Sequence, residues 1–217
     1  MNWLEVRELS LVRGRRQLLD RLGFNLARGE AILLHGPNGS GKSSLLRALL
    51  GLSVASGGEI RFEGKSFAPG SGKLCRHALY QGHASGLKGE LDALENLGLA
   101  AALDGSPADS AALQSALADT GIAREAAIAT RRLSQGQKQR LVLARFALAN
   151  QAASPPRRLW LLDEPSAALD RAGAAMLDQL LAGHLRRGGA ALVATHLPIL
   201  AESGAHAGTR PRTIELE

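Results

Sequence analysis

GPNGSGKS, residues 36–43, follows the apolar run EAILLHG (30–36) and opens the helical pattern SSLLRALLG (43–51). A strand that turns through glycines into a helix brings backbone N–H groups and a helix N-terminus together, and such a turn binds phosphate oxygens. The spacing G-x-x-x-x-G-K-[ST] adds Lys42, which would reach the β- and γ-phosphates, and Ser43, which would ligate Mg²⁺. The stretch therefore predicts a P-loop. The residues expected at the phosphates are Gly36, Pro37, Asn38, Gly39, Ser40, Gly41, Lys42, Ser43 and Ser44.

The composition narrows the class of protein. The chain has 217 residues, of which 45% are hydrophobic, 21% charged and 3% aromatic, so we expect a globular fold with an aliphatic core. A net charge of +6 favours anionic partners such as nucleotides, nucleic acid or an anionic membrane surface. The single cysteine, Cys75, excludes an internal disulfide and a Cys-rich metal site, and it is typical of a reducing compartment.

The chain is not expected to cross a membrane. No apolar run approaches the roughly 18 residues of a spanning helix, and the first ten residues, MNWLEVRELS, contain no apolar core of a secretory signal. If the protein works at a membrane, we expect it to do so through partners.

Strands and helices alternate along the chain, which predicts an α/β fold with a mainly parallel sheet in a single domain. WLEVREL (3–9) alternates apolar and polar residues and is predicted to be an edge strand. The other predicted strands are 58–64 in a hairpin, 77–81, 159–163 and 190–196; the other predicted helices are 91–119 with a turn near 106–113, 133–151 and 167–187.

A buried strand, LWLLD, ends in adjacent acids within RRLWLLDEP (157–165). Asp163 can belong to the Mg²⁺ shell, and Glu164 can orient or deprotonate an attacking water. Taken alone, the acid pair could equally cap the next helix. Its place downstream of a P-loop favours the catalytic interpretation.

The long helix at 133–151 begins with LSQGQ (133–137). Ser134 and the backbone at Gly136 offer hydrogen-bond donors at a helix N-terminus, where anions bind. A simple serine N-cap is the alternative for such a stretch. The order of LSQGQ, after the P-loop and before LWLLDEP, is what makes it specific.

Together these stretches resemble the nucleotide-binding subunits of ABC transporters. GPNGSGKS resembles their Walker A motif, LSQGQ the signature motif, LWLLDE the Walker B motif, SAALD (166–170) the D-loop and ATH (194–196) the switch histidine. The resemblance covers essentially the whole chain. It implies a P-loop NTPase of ABC type, with a RecA-like core and an N-terminal antiparallel β region in residues 1–87 and 151–217 and a helical subdomain in 88–150.

The resemblance also implies the chemistry. Two subunits would enclose two ATP molecules head to tail, so that Ser134, Gly136 and Gln137 of one subunit serve the nucleotide of the other. The residues implied to be catalytic are Lys42, Glu164 and His196, and those implied to hold Mg²⁺ are Ser43 and Asp163. His196 would contact the γ-phosphate, although a histidine at a strand end is otherwise commonly a surface or core residue.

The chain departs from the family pattern in three places. Arg13 stands where an aromatic residue usually stacks on adenine; a guanidinium plane can stack on a base, or Arg13 can be a solvated loop residue. Gln135 replaces a usual glycine of the signature motif. The connection 150–158, NQAASPPRR, is longer than usual and is expected to be a surface insertion.

Residues 82–97, GHASGLKGELDALENL, resemble one subfamily, the ATP-binding subunits of the cytochrome c maturation exporter, whose pattern is G-H-x-x-G-x-K-x-x-L-x-A-L-E-N-L. The alignment puts His83, not Gln81, where other ABC subunits have the glutamine that links the γ-phosphate and Mg²⁺ to the membrane subunit. A solvated loop histidine is the alternative. Asp92 stands where the pattern usually has threonine, and either residue can cap a helix.

This resemblance implies an ATPase bound peripherally to the cytoplasmic side of the inner membrane, with integral membrane subunits and a second ATPase subunit as partners. Its hydrolysis of ATP, with Mg²⁺, would drive haem export or release of a haem-loaded chaperone. No C-x-x-C-H occurs and the six histidines are dispersed, so we expect no stable haem binding by the chain itself, and no nucleic acid.

Two other functions remain as alternatives. A lipid, lipoprotein or drug exporter would predict glutamine at position 83 and Tyr or Phe near position 13. A soluble, nucleic-acid-associated ABC ATPase is compatible with the positive charge, but such proteins usually have two nucleotide domains or a coiled-coil arm.

Overall fold

The computed structural model describes residues 2–152, 158–197, 199–200 and 211–217. The strands are β1 (Asn2–Arg13), β2 (Arg16–Ala27), β3 (Ala31–His35), β4 (Gly57–Phe62), β5 (Lys65–Phe67), β6 (Ala78–Gln81), β7 (Leu159–Asp163), β8 (Ala190–Ala194) and β9 (Arg212–Glu215). The helices are α1 (Lys42–Leu49), α2 (Ala93–Leu103), α3 (Ser110–Asp119), α4 (Gln135–Gln151) and α5 (Arg171–Arg186). Short 3₁₀ helices lie at Lys73–Arg76, Ala123–Glu125 and Thr130–Arg132.

A five-stranded sheet with the order β6-β7-β8-β3-β9 forms the centre of the fold, and all its pairs are parallel. Every residue of β7 and β8 is buried, as expected for parallel strands covered on both faces. The carboxyl ends of parallel strands meet at one edge, which is where α/β folds bind ligands. The segments after β3, β6, β7 and β8 therefore lie together, and the predicted α/β fold with a parallel sheet is confirmed.

A second, antiparallel sheet has the order β2-β1-β4-β5. β1 lies between β2 and β4, so the prediction of an edge strand at 3–9 is wrong. The alternation there shows only that one face of the strand is buried, which holds for edge and central strands of an antiparallel sheet alike. β2 was not predicted at all, because its leucines at 18, 19 and 22 fit a helix as well as a strand.

The helix starts follow their capping residues. Ser134 caps α4, and it forms a capping box with Gln137. Asp92 caps α2, as predicted, with its side chain accepting from the N–H of Glu95. The predicted helix over 167–187 begins too early. Asp170 is the N-cap of α5, because its side chain accepts a hydrogen bond from the N–H of Gly173, and an N-cap residue precedes the first helical residue.

Three clusters of buried side chains form the core. One lies between the two sheets and α1, a second on the other face of the parallel sheet against α4 and α5, and a third among α2, α3 and α4. The third cluster is what a helical subdomain over 88–150 would depend on, and that division stays a prediction. α4 runs to Gln151, whereas 153–157 of the predicted surface insertion lie outside the described residues. Within the described residues no helix combines the length and the apolarity needed to cross a membrane.

His184 of α5 is buried under the parallel sheet. Its ring stacks on Trp160 of β7 with centroids 3.8 Å apart, and Nε2 lies 3.0 Å from the carbonyl oxygen of Arg158. Burial, with a smaller effect from the charge of Arg158, lowers the pKa of His184 to about 4, although hydrogen bonds to the carbonyls of Ala190 and Arg158 oppose the shift. The native state therefore holds this imidazole neutral.

The depressed pKa of His184 predicts a loss of stability in mild acid. The unfolded chain takes up the proton near pH 6.5 and the native state only near pH 4, so the contribution is complete above pH 6.5 and is lost as the pH falls to about 4. The shift corresponds to about 3 kcal/mol of unfolding free energy. Urea unfolding followed by the fluorescence of Trp3 and Trp160 should show that His184→Gln lacks this component. A constant difference between the two proteins from pH 7.5 to 4.5 would contradict the assignment.

Candidate nucleotide-binding site

A cavity of about 360 Å³ opens at the carboxyl edge of the parallel sheet. Its size lies within the range of small-molecule sites, which is about 300–1,000 Å³. Its lining residues are Arg13, Leu18, Asn38, Gly39, Gly41, Lys42, Ser43, Ser44, His83, Asp163, Glu164 and His196. The structure thus brings the predicted P-loop, the acid pair, the switch histidine and the candidate loop histidine to one place. Ser134, Gly136 and Gln137 do not line this cavity.

The phosphate loop, residues 36–44, is shaped by the close approach of Leu216, the residue that follows β9. Gly36 has φ of +140°, and a Cβ there would lie 2.2 Å from the carbonyl oxygen of Leu216. Only glycine can therefore turn the chain from β3 into the loop. Ser40 is buried inside the loop, and its hydroxyl has no hydrogen-bond partner among the described residues. A buried hydroxyl without a partner points to a ligand or water that completes the loop.

Lys42 is buried at the start of α1, with 7% of its surface exposed. Its Nζ donates to the carbonyl oxygens of Gly36 and Pro37, at 2.6 and 3.1 Å. These neutral acceptors satisfy the ammonium group but leave its charge without a counterion among the described residues. A buried charge is costly unless it is paired, so the site is suited to an anion such as a phosphate.

Ser43 and Asp163 form the acidic edge of the cavity. β7 ends at Asp163, which is buried, and its Oδ1 accepts a hydrogen bond of 2.9 Å from the hydroxyl of Ser43. A hydroxyl and a carboxylate oxygen are ligands that Mg²⁺ prefers, usually together with water and substrate phosphates. The described residues contain no group of three or more His, Cys, Asp or Glu side chains that could hold a metal alone. The donors therefore fit a magnesium ion that shares its shell with a phosphate chain.

Glu164 adopts a φ of +50°, which is uncommon for a residue other than glycine, and its N–H donates to the carbonyl of Ala194 at 2.9 Å. Its Oε1 lies 3.4 Å from Nε2 of His196, and the same nitrogen lies 3.2 Å from Oδ1 of Asn38. Asn38 of the predicted P-loop, Glu164 and His196 thus lie next to one another in the wall of the cavity. The contact between Asn38 and His196 was not predicted, because nothing in the sequence relates their side chains.

His83 lines the cavity, whereas Gln81 does not: it is the buried last residue of β6, and its Oε1 has no partner among the described residues. Of these two residues, only His83 thus lies at the cavity, and its role there stays a prediction. Between them, a Cβ on Gly82 would lie 2.8 Å from the hydroxyl of Tyr80. Burial, with help from the Asp163 carboxylate, raises the pKa of Tyr80, a residue that the sequence did not single out.

Asn96 anchors the far end of the loop that carries His83. Its side chain is buried in α2, accepts from the N–H of Lys88 at 2.8 Å and donates to the carbonyl of Lys88 at 2.9 Å. A further bond to Thr130 fixes the amide. The asparagine of the LENL stretch is therefore a structural residue that holds the loop.

The signature stretch lies apart from the cavity but is tied to it. Ser134 and Gln137 bond each other's backbone at the start of α4. A Cβ on Gly136 would lie 3.0 Å from the carbonyl of Ala168, and Nε2 of Gln139 donates to the carbonyl of Pro165 at 2.6 Å. The helix that begins with the signature therefore rests against the segment that follows Glu164.

Comparisons with known proteins identify the family of the chain. The family described as ABC transporter matches residues 19–167. A relative from Pseudomonas aeruginosa, named cytochrome c biogenesis ATP-binding export protein CcmA, is 42% identical over 89% of this chain and 92% of its own length. A relative of the same name from Alkalilimnicola ehrlichii is 45% identical over 89% of this chain and 80% of its own length.

Solved structures share the fold. The ATP-binding subunit of an ABC transporter superposes with a TM-score of 0.80 at 25% identity, over 99% of this chain and 86% of that one. An ATP-binding cassette solved as a dimer in a post-hydrolysis state, bound to ADP and Pi, gives a TM-score of 0.78 at 25% identity, over 99% and 94%. The P-loop fold of ABC type is thus confirmed, and the chain belongs to the ABC transporter family as an ATP-binding subunit close to the cytochrome c biogenesis export proteins CcmA.

Proposed function

We propose that the chain is the ATP-hydrolysing subunit of an ABC exporter for cytochrome c biogenesis, and that the cavity at the P-loop is its ATP site. The observation that carries the proposal is the convergence of Lys42, the Ser43–Asp163 pair, Glu164 and His196 on one cavity. Phosphoryl transfer to water needs a cation at the phosphates, a metal shell and a group that orients the water, and these side chains can supply them.

Each residue of the cavity has a separate proposed role in ATP binding or hydrolysis. The loop 36–44 binds the phosphate chain with its backbone N–H groups, and Lys42 adds its charge at the β- and γ-phosphates. Ser43 and Asp163 would hold Mg²⁺, which when bound neutralises charge that develops on the phosphates. Glu164 orients a water for attack and accepts its proton, while His196 donates from Nε2 to the γ-phosphate. Arg13 provides a guanidinium plane for the adenine.

We further propose a head-to-tail pair of subunits. Ser134, Gly136 and Gln137 lie outside their own cavity, at the start of α4, where a helix N-terminus can bind the phosphates of a nucleotide held by another copy. Of the solved relatives, one ATP-binding cassette is a dimer bound to ADP and Pi. In this arrangement the core (1–87 and 151–217) and the helical subdomain (88–150) of one copy each face a different nucleotide.

The membrane partners would be integral subunits that contact the loop after β6, with Lys88 on the side facing them. We place the chain peripherally on the cytoplasmic side of the inner membrane. Its hydrolysis of ATP would drive haem export or release of a haem-loaded chaperone, without stable haem binding by the chain itself. A stoichiometric complex of the isolated chain with haem, absorbing in the Soret region, would contradict the last point.

Deletion and complementation test this function. Loss of the chain should abolish all c-type cytochromes, and the wild-type chain, but not Glu164→Gln, should restore them. Intact c-type cytochromes in the deletion strain would exclude the proposal, and an accompanying defect in lipid, lipoprotein or drug export would favour that alternative. Purification with bound membrane subunits would distinguish both from a soluble, nucleic-acid-associated ATPase.

The position of His83 between cavity and loop predicts a role in stimulation by the partners. His83→Ala should lower partner-stimulated ATPase about tenfold, as expected for loss of one hydrogen bond to a charged group, while ATP affinity changes little. His83→Gln should retain most of the stimulation, because an amide also donates and accepts. Ser85→Ala, an exposed residue of the same loop, is the control. Full stimulation in His83→Ala would leave a solvated histidine as the interpretation.

A further inference from the structure

Two arginines face each other across the turn between β1 and β2. Arg13 and Arg16 are paired in the register of the two strands, with Gly14 and Arg15 forming the turn between them. Residues directly opposite in an antiparallel pair project from the same face, and like charges in that arrangement are destabilising. Neither guanidinium forms an ion pair or a side-chain hydrogen bond within the described part of the chain. The pair therefore lacks the anion that would compensate its charge.

The same hairpin lies along the phosphate loop. A Cβ on Gly41 would meet Cδ2 of Leu19 at 3.3 Å and the carbonyl oxygen of Leu18 at 3.4 Å, so the start of β2 packs against the N-terminus of α1. Arg16 lies two residues before Leu18, and Gly39 two residues before Gly41. A Cβ on Gly39 would lie 3.7 Å from Nη1 of Arg16. The guanidinium of Arg16 is thus next to the phosphate loop.

Arg13 and Gly39 both line the nucleotide cavity, whereas Arg16 does not line it but lies beside Gly39 at its edge. An anion bound in the cavity would lie close to both guanidinium groups, and its attraction to each would offset their mutual repulsion. The phosphate chain of a nucleotide is such an anion, and a guanidinium can bind two phosphate oxygens at once.

We propose that Arg16 is a second nucleotide-binding arginine of this subunit, which contacts the phosphate chain of the nucleotide held in its own cavity. The inference rests on the proposed ATP site and adds a phosphate-binding residue to it. Arg13 then serves the base and Arg16 the phosphates. Because Arg16 is exposed, its contribution falls with increasing salt.

Calorimetric titration of the full chain with a non-hydrolysable ATP analogue, ADP and AMP tests the assignment. Arg16→Ala should weaken binding of the ATP analogue about tenfold and of AMP less than twofold, because a charge-assisted bond to the outer phosphates is lost. Arg15→Ala is the matched control: it removes the same charge from the same turn, but Arg15, unlike Arg16, has no atom within 4 Å of a Cβ on Gly39, so affinity should change less than twofold. Arg16→Lys should recover part of the loss, since it keeps the charge without the fork.

Melting temperatures separate a binding role from a structural one. Without nucleotide, Arg16→Ala should melt at or above the wild-type temperature, because a like-charge contact is removed, whereas its nucleotide-induced rise should be smaller. A lower melting temperature without nucleotide, an equal loss for AMP, an equal loss in Arg15→Ala, or unchanged binding would each overturn the inference. A wild-type chain that binds no nucleotide would instead refute the proposed ATP site.

Discussion

Glu164→Gln is expected to lower ATP hydrolysis about 10³-fold while ATP binding stays within a few-fold of wild type. General bases contribute about 10²–10⁴ to rate, and glutamine has the same size but cannot accept the proton of the attacking water. The amide oxygen can still accept a hydrogen bond from Nε2 of His196, which lies 3.4 Å from Oε1 of Glu164, so the geometry of the cavity is preserved. The variant should therefore accumulate with ATP bound.

Steady-state ATPase of the membrane complex, together with size-exclusion chromatography of the isolated chain in ATP, measures both effects. The variant should elute as a dimer in ATP and as a monomer after the nucleotide is removed. Glu8→Gln, which neutralises an exposed glutamate paired with Arg21, provides the control and should hydrolyse ATP normally. Wild-type turnover by Glu164→Gln would remove this residue from the chemistry.

Lys42→Ala is expected to weaken ATP binding at least about 100-fold, because a buried cation beside the phosphates is lost together with its charge-assisted bonds. The carbonyls of Gly36 and Pro37 that accept from Lys42 would also lose their donor. Direct titration with ATP measures the change, and hydrolysis should be undetectable in the same protein. Urea unfolding checks that the variant remains folded.

Lys65→Ala is the matched control for Lys42→Ala, since it removes an exposed lysine from β5, outside the nucleotide cavity. It should bind ATP as the wild type does. ATP affinity in Lys42→Ala that equals that of the control would contradict a role for Lys42 in phosphate binding.

The parts of the site that are local in sequence could be predicted from it. GPNGSGKS determines its own turn, because its glycines and the start of α1 are consecutive, and Ser134 and Asp92 identify helix starts through bonds to residues a turn away. The end of a buried strand at Asp163 was equally visible in the hydrophobic run that precedes it.

The parts that depend on distant pairing could not be predicted. β2 becomes a strand because β1 is its neighbour, and its irregular register includes residues with positive φ at Glu8 and Arg21. Arg145 of α4 binds the carboxylate of Asp104 and donates to the carbonyl of Tyr80 at 3.1 Å, which joins three elements that the sequence keeps far apart. The approach of Arg16 to Gly39 could not be predicted either, because it depends on how the hairpin of β1 and β2 packs on the phosphate loop.

The contact between Gly36 and Leu216 has a consequence for how the chain can change during evolution. The atom that crowds Gly36 is the main-chain oxygen of Leu216, held in place by the parallel pairing of β9 with β3 and by the bond from its own N–H to the carbonyl of His35. No substitution at position 216 can remove a backbone atom, so selection has to act on position 36 alone. The side chains of β9 can change within the limits of their own contacts, such as the packing of Ile214 on the core and the pairing of Arg212 with Glu30, while the first glycine of the loop cannot change at all.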